Sequence, residues 1–256
     1  MKAGDEFETL LGLMRRLRAP DGCPWDRAQT PETLKTYVVE EAYEVVEAIE
    51  RGDPELLLEE LGDLLLQVVF LAQLAEEAGR FDMADVCKAI VSKLLRRHPH
   101  VFGDQKANSP DEAYSRWHAR KREEGKGTLS GVPNSLPALL MALRMSEKAH
   151  AVGFDWPDIA GALAKLDEEV AELKRAVASL DRDQVEAELG DVLFTVVNLA
   201  RLHRIDPEAA LRRMLARFRR RFEHLEARLN SQGLDVKDQP LSTLDALWEE
   251  AKREGL

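Results

Sequence analysis

Eight acidic residues stand in two copies of one pattern along this chain. Glu41 and Glu44 are followed by Glu60 and Asp63, and Glu169 and Glu172 by Glu188 and Asp191. Residues three apart on a helix share a face about one turn apart, so each pair presents two carboxylates together. Folding the two helices of a copy against each other would bring four carboxylates to one spot, once in each half. Like charges at this spacing cost a helix roughly 0.2–0.5 kcal/mol per pair, and more where water is excluded. The run containing Leu61, Leu64, Leu65, Leu66, Val68, Val69 and Leu71 predicts a helix buried on most sides. Buried carboxylates need counter-charges. A hard divalent cation fits best, because oxygen ligands suit magnesium, which usually keeps waters and binds substrate phosphates.

The alternative is that these acids lie on a solvated helix face, and an internal repeat weakens it. A shift of 128 residues lays Glu60-Leu61-Gly62-Asp63 on Glu188-Leu189-Gly190-Asp191, and Glu40, Glu41 and Glu44 on Glu168, Glu169 and Glu172. Other acids diverge under the same shift: Glu47 meets Arg175 and Glu59 meets Ala187. The five-acid set therefore recurs while its acidic neighbours do not. Gly62 and Gly190 also recur inside helices, where glycine costs about 1 kcal/mol relative to alanine, which predicts close helix packing at both. A looser echo relates Trp117-x-x-x-Lys121-Arg122-Glu123 to Trp248-x-x-x-Lys252-Arg253-Glu254.

The elements that must carry these acids are helices, and the fold class is all-α, built of helical bundles. The first half predicts helices over about 5–19, 31–51, 54–79, 82–97 and 110–124. The second predicts them over about 136–151, 158–179, 182–203, 207–231 and 241–254. Asp53-Pro54 reads as an N-cap and a first-turn proline, with Arg51-Gly52 ending the helix before it. Asp181 sits in the matching gap, so the helices on either side of each gap are antiparallel neighbours. Gly125, Gly127, Gly131, Pro133 and Pro137 have linker composition. The predicted organisation is a first domain over 1–125, a linker over 126–135 and a second domain over 136–256.

Composition narrows the class further. The chain has 256 residues with 36 Lys+Arg against 47 Asp+Glu, for a net charge of −11, and no sustained basic stripe. That balance argues against a nucleic-acid clamp. The longest nearly apolar run, Leu64 to Ala75, is too short to span a bilayer. Acids within the first eight residues do not suit a signal peptide. Cys23 and Cys87 are too few for a disulfide framework or a zinc site. A cytoplasmic protein is the expectation.

Glu-Glu-x-x-Glu followed after a gap by Glu-x-x-Asp resembles the MazG nucleoside triphosphate pyrophosphohydrolases, in their tandem two-domain form. Cys23-Pro24-Trp25-Asp26, Arg96-Arg97-His98-Pro99-His100-Val101-Phe102 and Val152-Gly153-Phe154-Asp155-Trp156 fit the same family in the same order. The resemblance implies a helical homodimer that hydrolyses nucleoside triphosphates between the α- and β-phosphates. It further implies dependence on magnesium, with manganese as a substitute, and broad tolerance of the base. By motif position, Glu169, Glu172, Glu188 and Asp191 would be metal ligands, with Glu41, Glu44, Glu60 and Asp63 as first-half counterparts. Glu168 and Glu40 complete the motif and would orient water or a ligand. Arg217 and Arg221 match the family's phosphate-binding positions, Lys165 is a further cation, and Trp248 resembles a base-contacting position. In the first half Lys93, Arg97 and Trp117 are the counterparts, but Arg217 falls on Ala89. That departure favours the second half as the main active site.

Two rival classes are weaker. A di-iron carboxylate oxidoreductase needs Glu-x-x-His on two helices. Here the residues three after Glu44, Glu60, Glu172 and Glu188 are Glu47, Asp63, Arg175 and Asp191. A non-catalytic helical partner-binding protein has no need of two intact acid sets. His98 and His100 flank a proline, which suits a helix stop better than a metal site.

Overall fold

The computed structural model describes residues 2–103 and 127–256, together with Ser109 and Glu112. Apart from Glu112, the predicted helix over 110–124, Trp117 included, lies outside the described residues. Among the described residues every regular element is helical. Contacts divide the chain into two compact units, Met1–Asn108 and Ser109–Leu256. The first contains α1 (Ala3–Arg18), α2 (Pro24–Ala28), α3 (Pro31–Arg51), α4 (Pro54–Glu77), α5 (Met83–Arg97) and α6 (Pro99–Phe102). The second contains α7 (Ala138–His150), α8 (Ile159–Ser179), α9 (Arg182–Leu202), α10 (Pro207–Asn230) and α11 (Leu241–Arg253), with a 3-10 turn at Val236–Asp238.

Each unit is organised around one tight helical hairpin whose ends the sequence specifies. Thr30 caps α3 by accepting from the Thr33 N–H, and Pro31 occupies the first turn. α3 stops at Gly52, whose φ of 67° is left-handed. Asp53 then accepts from the N–H groups of Glu55 and Leu56 at 3.0 and 3.1 Å and starts α4. The second unit repeats this turn. α8 stops at Leu180 with φ 58°, and Asp181 accepts from Asp183 and Gln184, both at 3.1 Å, to start α9. Gly52 and Leu180, and Asp53 and Asp181, coincide under the 128-residue shift.

The packing order also repeats. α3 lies along α4, with α1 and α5 added to α4; α8 lies along α9, with α7 and α10 added to α9 and α11 packed on α10. In the first unit Met14, Leu34, Val69 and Phe70 form the buried centre. Arg18 closes its edge, donating to both Glu77 oxygens at 2.7 and 2.6 Å and to the Asp26 carbonyl, with its guanidinium 5.6 Å from the Phe70 ring centre. The hydrogen bonds from Arg18 hold the Glu77 carboxyl below its ordinary range despite burial. In the second unit Arg201 plays a comparable part, pairing with Asp155 of the loop between α7 and α8.

Two expectations are corrected here. α4 is not buried on most sides: Leu58, Leu61, Leu65 and Val68 are exposed, as are Leu189, Leu193 and Val196 of α9. Neighbours within a unit cover only part of each central helix, which leaves an apolar stripe outward. Close packing does not explain Gly62 or Gly190 either, since a Cβ added at either meets nothing within 4 Å. Both glycines lie on the outward side of their helices, where no neighbour within the unit approaches. The short α2, α6 and the 3-10 turn were not anticipated. No helix of the described residues is long and apolar enough to cross a membrane.

Candidate active site

The two hairpins bring the repeated acids together. In the first unit one oxygen each from Glu41, Glu60 and Asp63 lies within 4.8 Å of the others. The Glu44 carboxyl adjoins them, and its charge acts on both Glu41 and Glu60. Burial, then the charges of Asp63 and Glu44, push the Glu41 carboxyl up, against a hydrogen bond from Gln67 at 3.3 Å. Glu60 is pushed up by loss of water and by Glu44, Glu59 and Asp63. Glu40 is exposed on the same helix.

In the second unit Glu169, Glu172 and Glu188 bring one oxygen each within 4.8 Å. Loss of water, then the charges of Glu172, Asp191 and Glu169, raise the Glu188 carboxyl, and Arg175 partly relieves them. Asp191 therefore belongs to the cluster electrostatically. Lys165 reaches back along α8 to Glu169 at 2.8 Å and Glu168 at 2.9 Å, bonds that raise its ammonium well above the ordinary lysine range. Glu169 is 6% exposed, so this is the most enclosed carboxylate of the eight. Arg175 pairs with Glu172 at 3.0 Å.

The halves differ around the common acids. Under the 128-residue shift Lys165 is replaced by Tyr37, and Arg175 by Glu47. Tyr37 packs edge-on to Trp25, with ring centres 6.2 Å apart. The second set is thus served by two cations that the first set lacks at the matching positions.

The basic residues of α10 are placed less directly. Arg217 is exposed. Arg221 donates from Nε to the Leu256 carbonyl oxygen at 2.6 Å and lies 5.7 Å from the Trp248 ring, which in turn lies 5.1 Å from Phe218. Arg221 and Trp248 are therefore neighbours, but the charges acting on Glu188 include neither Arg217 nor Arg221. In the first unit Lys93 is exposed and Arg97 half-buried near the end of α5. His98 ends α5, its Nδ1 2.8 Å from the Leu94 carbonyl oxygen.

A third cluster was not anticipated: His224 with Glu250 and Glu254, whose ligand atoms lie within 4.8 Å. The four-residue spacing of the two glutamates on α11 was its only sequence signal. Arg228 already sits 2.9 Å from Glu250, so this group reads as an ion-pair clasp between α10 and α11.

The chemistry of the two repeated donor sets suits a hard cation. All donors are carboxylate oxygens, three in each set within 4.8 Å of one another, and loss of water together with mutual repulsion raises Glu41, Glu60 and Glu188. Such a set is costly without positive charge and fits magnesium or manganese.

The MazG nucleotide pyrophosphohydrolase domain matches this chain twice, over residues 29–102 and 159–226, which bracket the two acid hairpins. The chain belongs to the MazG family. It is 46% identical over 255 residues to the nucleoside triphosphate pyrophosphohydrolase/pyrophosphatase MazG of Thermotoga maritima, covering 98% of this chain and 97% of that protein. It is 43% identical over 258 residues to the nucleoside triphosphate pyrophosphohydrolase of Escherichia coli K12, covering 98% of each. A solved MazG-related protein from Thermotoga maritima aligns with 45% of this chain and 98% of its own, at 32% identity and a TM-score of 0.39.

Proposed function

We propose that this chain hydrolyses nucleoside triphosphates between the α- and β-phosphates, giving a nucleoside monophosphate and pyrophosphate, with broad tolerance of the base. The observation that carries this reading is the convergence of carboxylates from two helices in each MazG domain. Glu169, Glu172, Glu188 and Asp191 would hold magnesium, or manganese in its place, and Glu41, Glu44, Glu60 and Asp63 would do so in the first half. When bound, the ion would supply positive charge against the phosphate oxygens and the departing pyrophosphate.

The chain's own residues do the rest. The oxygen of a water attacks the α-phosphorus, the bond to the bridging oxygen breaks, and pyrophosphate leaves with that bonding pair. A carboxylate of the cluster that the ion does not fully engage takes the proton of the water. Lys165 fixes Glu168 and Glu169 in orientation. Arg217 and Arg221 are the cations assigned to the phosphates, and Trp248 to the base. The second half is the main active site in this reading, supported by Lys165 and Arg175, which the first half replaces with Tyr37 and Glu47.

The same reading makes the protein a cytoplasmic homodimer that acts on free nucleotides and engages neither nucleic acid nor membrane. The outward stripes Leu61, Leu65 and Val68, and Leu189, Leu193 and Val196, supply apolar surface for such an association. The test is product analysis with magnesium across several nucleoside triphosphates. Pyrophosphate is the expected first product, and orthophosphate would move the scissile bond and overturn the proposal.

A further inference from the structure

The turn that ends α9 differs from its first-half counterpart at one residue of its backbone. α4 closes with the Gly79 N–H donating to the Glu76 carbonyl oxygen at 2.9 Å and the Arg80 N–H to that of Ala75 at 3.0 Å, and Gly79 has φ 65°. The same two bonds close α9, from Arg204 to Arg201 at 2.9 Å and from Ile205 to Ala200 at 2.8 Å. Here the left-handed position is held by Arg204, with φ 57°. Glycine serves such a position at no steric cost, and larger residues kept in it gather at ligand contacts. The Arg204 side chain is exposed and makes no ion pair among the described residues.

Arg204 lines a cavity of about 360 Å³ with Arg144 of α7 and Arg201 of α9, beside Glu147 and Asp206. The Arg201 side chain is only 10% exposed; one of its outer nitrogens holds Asp155, while its Nε is buried without a hydrogen-bond partner among the described residues. A guanidinium N–H shut away from water and left unpaired is costly until an acceptor arrives. The two acids on the walls are already engaged. Glu147 accepts from Arg144 at 2.8 Å, and Asp206 accepts from the Ala209 N–H at 3.0 Å as the N-cap of α10, whose dipole offsets its charge. No acid of the Glu188 cluster lines this cavity. Along α9, Arg201 stands about 15 Å beyond Asp191 by the helical rise per residue.

We infer that this cavity binds a small phosphate-bearing anion at a site separate from the acid cluster, with Arg204 and Arg201 as the donors and Arg144 beside them. The inference does not rest on the triphosphate reading above. Guanidinium forks match phosphate oxygens, and a tetrahedral group presents oxygens to several walls at once, where a planar carboxylate serves two. Arg204 brings a charge with no partner among the described residues, and the Arg201 Nε brings a donor already stripped of water. The volume exceeds a single phosphate and leaves room for pyrophosphate or a nucleoside monophosphate. The first half builds no counterpart: the 128-residue shift sets Gln73 at the position of Arg201, and its turn carries Gly79.

The test is titration calorimetry of the full chain in EDTA, so that no metal at the acid clusters can recruit the probe. Inorganic phosphate, pyrophosphate and AMP are the probes. Wild type is expected to bind pyrophosphate, and Arg204→Gly to weaken that binding about tenfold or more, as loss of a charged hydrogen bond does. Arg204→Gly recreates the first-half turn, so without ligand it should melt no lower than wild type, and lost binding is then not lost folding. Arg144→Gln leaves Glu147 unpaired on the wall and should weaken binding without touching the turn. Tighter binding of pyrophosphate than of AMP names the free anion as the ligand, and the reverse names a nucleotide's phosphate; either supports the site when Arg204→Gly weakens it. A wild-type chain that binds none of the three probes overturns the inference. So does equal binding by wild type and Arg204→Gly, which would place the anion elsewhere on the chain.

Discussion

Leu180 is the clearest place where the two halves can be weighed against each other. It ends α8 with φ 58°, where the first half ends α3 with Gly52 at φ 67°. A left-handed backbone crowds the Cβ of an ordinary residue against its own carbonyl, at about 1–2 kcal/mol, and glycine escapes this. Leu180 is 89% exposed, so removing its side chain forfeits almost no burial. Against the relief stands the greater freedom of glycine in the unfolded chain, about 0.5–1 kcal/mol. At the middle of both ranges the difference leaves Leu180→Gly more stable by about 0.75 kcal/mol, or roughly 1.5–3 °C in Tm for a unit of this size. Gly52→Leu is the mirror experiment. Nothing lies within 4 Å of an added Cβ there, so its loss measures the backbone alone. Thermal unfolding followed by circular dichroism reads both. A Leu180→Gly protein that melts at or below the wild-type temperature would refute the account, because no contact of the side chain is available to explain it.

The remaining predictions concern charge. Arg201→Met should cost about 2 kcal/mol at neutral pH, since a charged hydrogen bond is lost while the Trp156 N–H still serves Asp155. Burial opposes the Asp155 charge but Arg201 outweighs it and holds the carboxyl below 3.8. The stability it brings is therefore present above 3.8 and lost as pH falls through the lowered value. The gap between wild type and variant in urea unfolding should close under acid, and a constant gap would assign the effect to the arginine stem. Glu172→Ala or Asp191→Ala should remove most pyrophosphate release with helicity intact, and loss of activity in Glu44→Ala instead would reverse the ranking of the halves. Mutual repulsion raises the carboxyls of Glu41, Glu60 and Glu188 above 4.5, so the proposed magnesium would compete with protons there. Apparent magnesium affinity should weaken as pH is lowered toward 4.5, with proton release on binding in calorimetry, and a pH-independent affinity would contradict this.

Much of the scaffold was legible because it is local. Gly52-Asp53-Pro54 and Asp181 state their roles within three residues, and the observed ends of α3, α4, α8 and α9 fall within two residues of the predicted ones. The acids were legible because repetition separates Glu41, Glu44, Glu60 and Asp63 from neighbours such as Glu47. What depends on the third dimension was not. Periodicity counts Leu61 and Val68 as core, but it cannot count neighbours, and those residues are exposed. Gly62 suggested a tight crossing that is absent from its unit. The cavity by Arg204 was missed because it joins α7 to a turn more than fifty residues later, a pairing no spacing announces.

The divergence of the halves follows one physical line. A cluster of like charges beside an open cavity destabilises a small bundle, because both forfeit contacts that a core would make. In the first half Phe70 occupies the core, Arg18 seals it to Glu77, and Gln67 donates a hydrogen bond to Glu41. The second half keeps an amide at Asn198, a cavity lined by Phe154 and Trp156, and cations at Lys165 and Arg175 that orient the acids. A bound nucleotide with its cation should therefore stabilise the second unit far more than the first, by about 2.7 kcal/mol at a hundredfold excess over Kd. Hydrogen exchange of the intact chain, with and without a non-hydrolysable triphosphate analogue and magnesium, resolves the two. Protection that rises equally in α3–α4 and α8–α9 would place working sites in both halves and end the distinction.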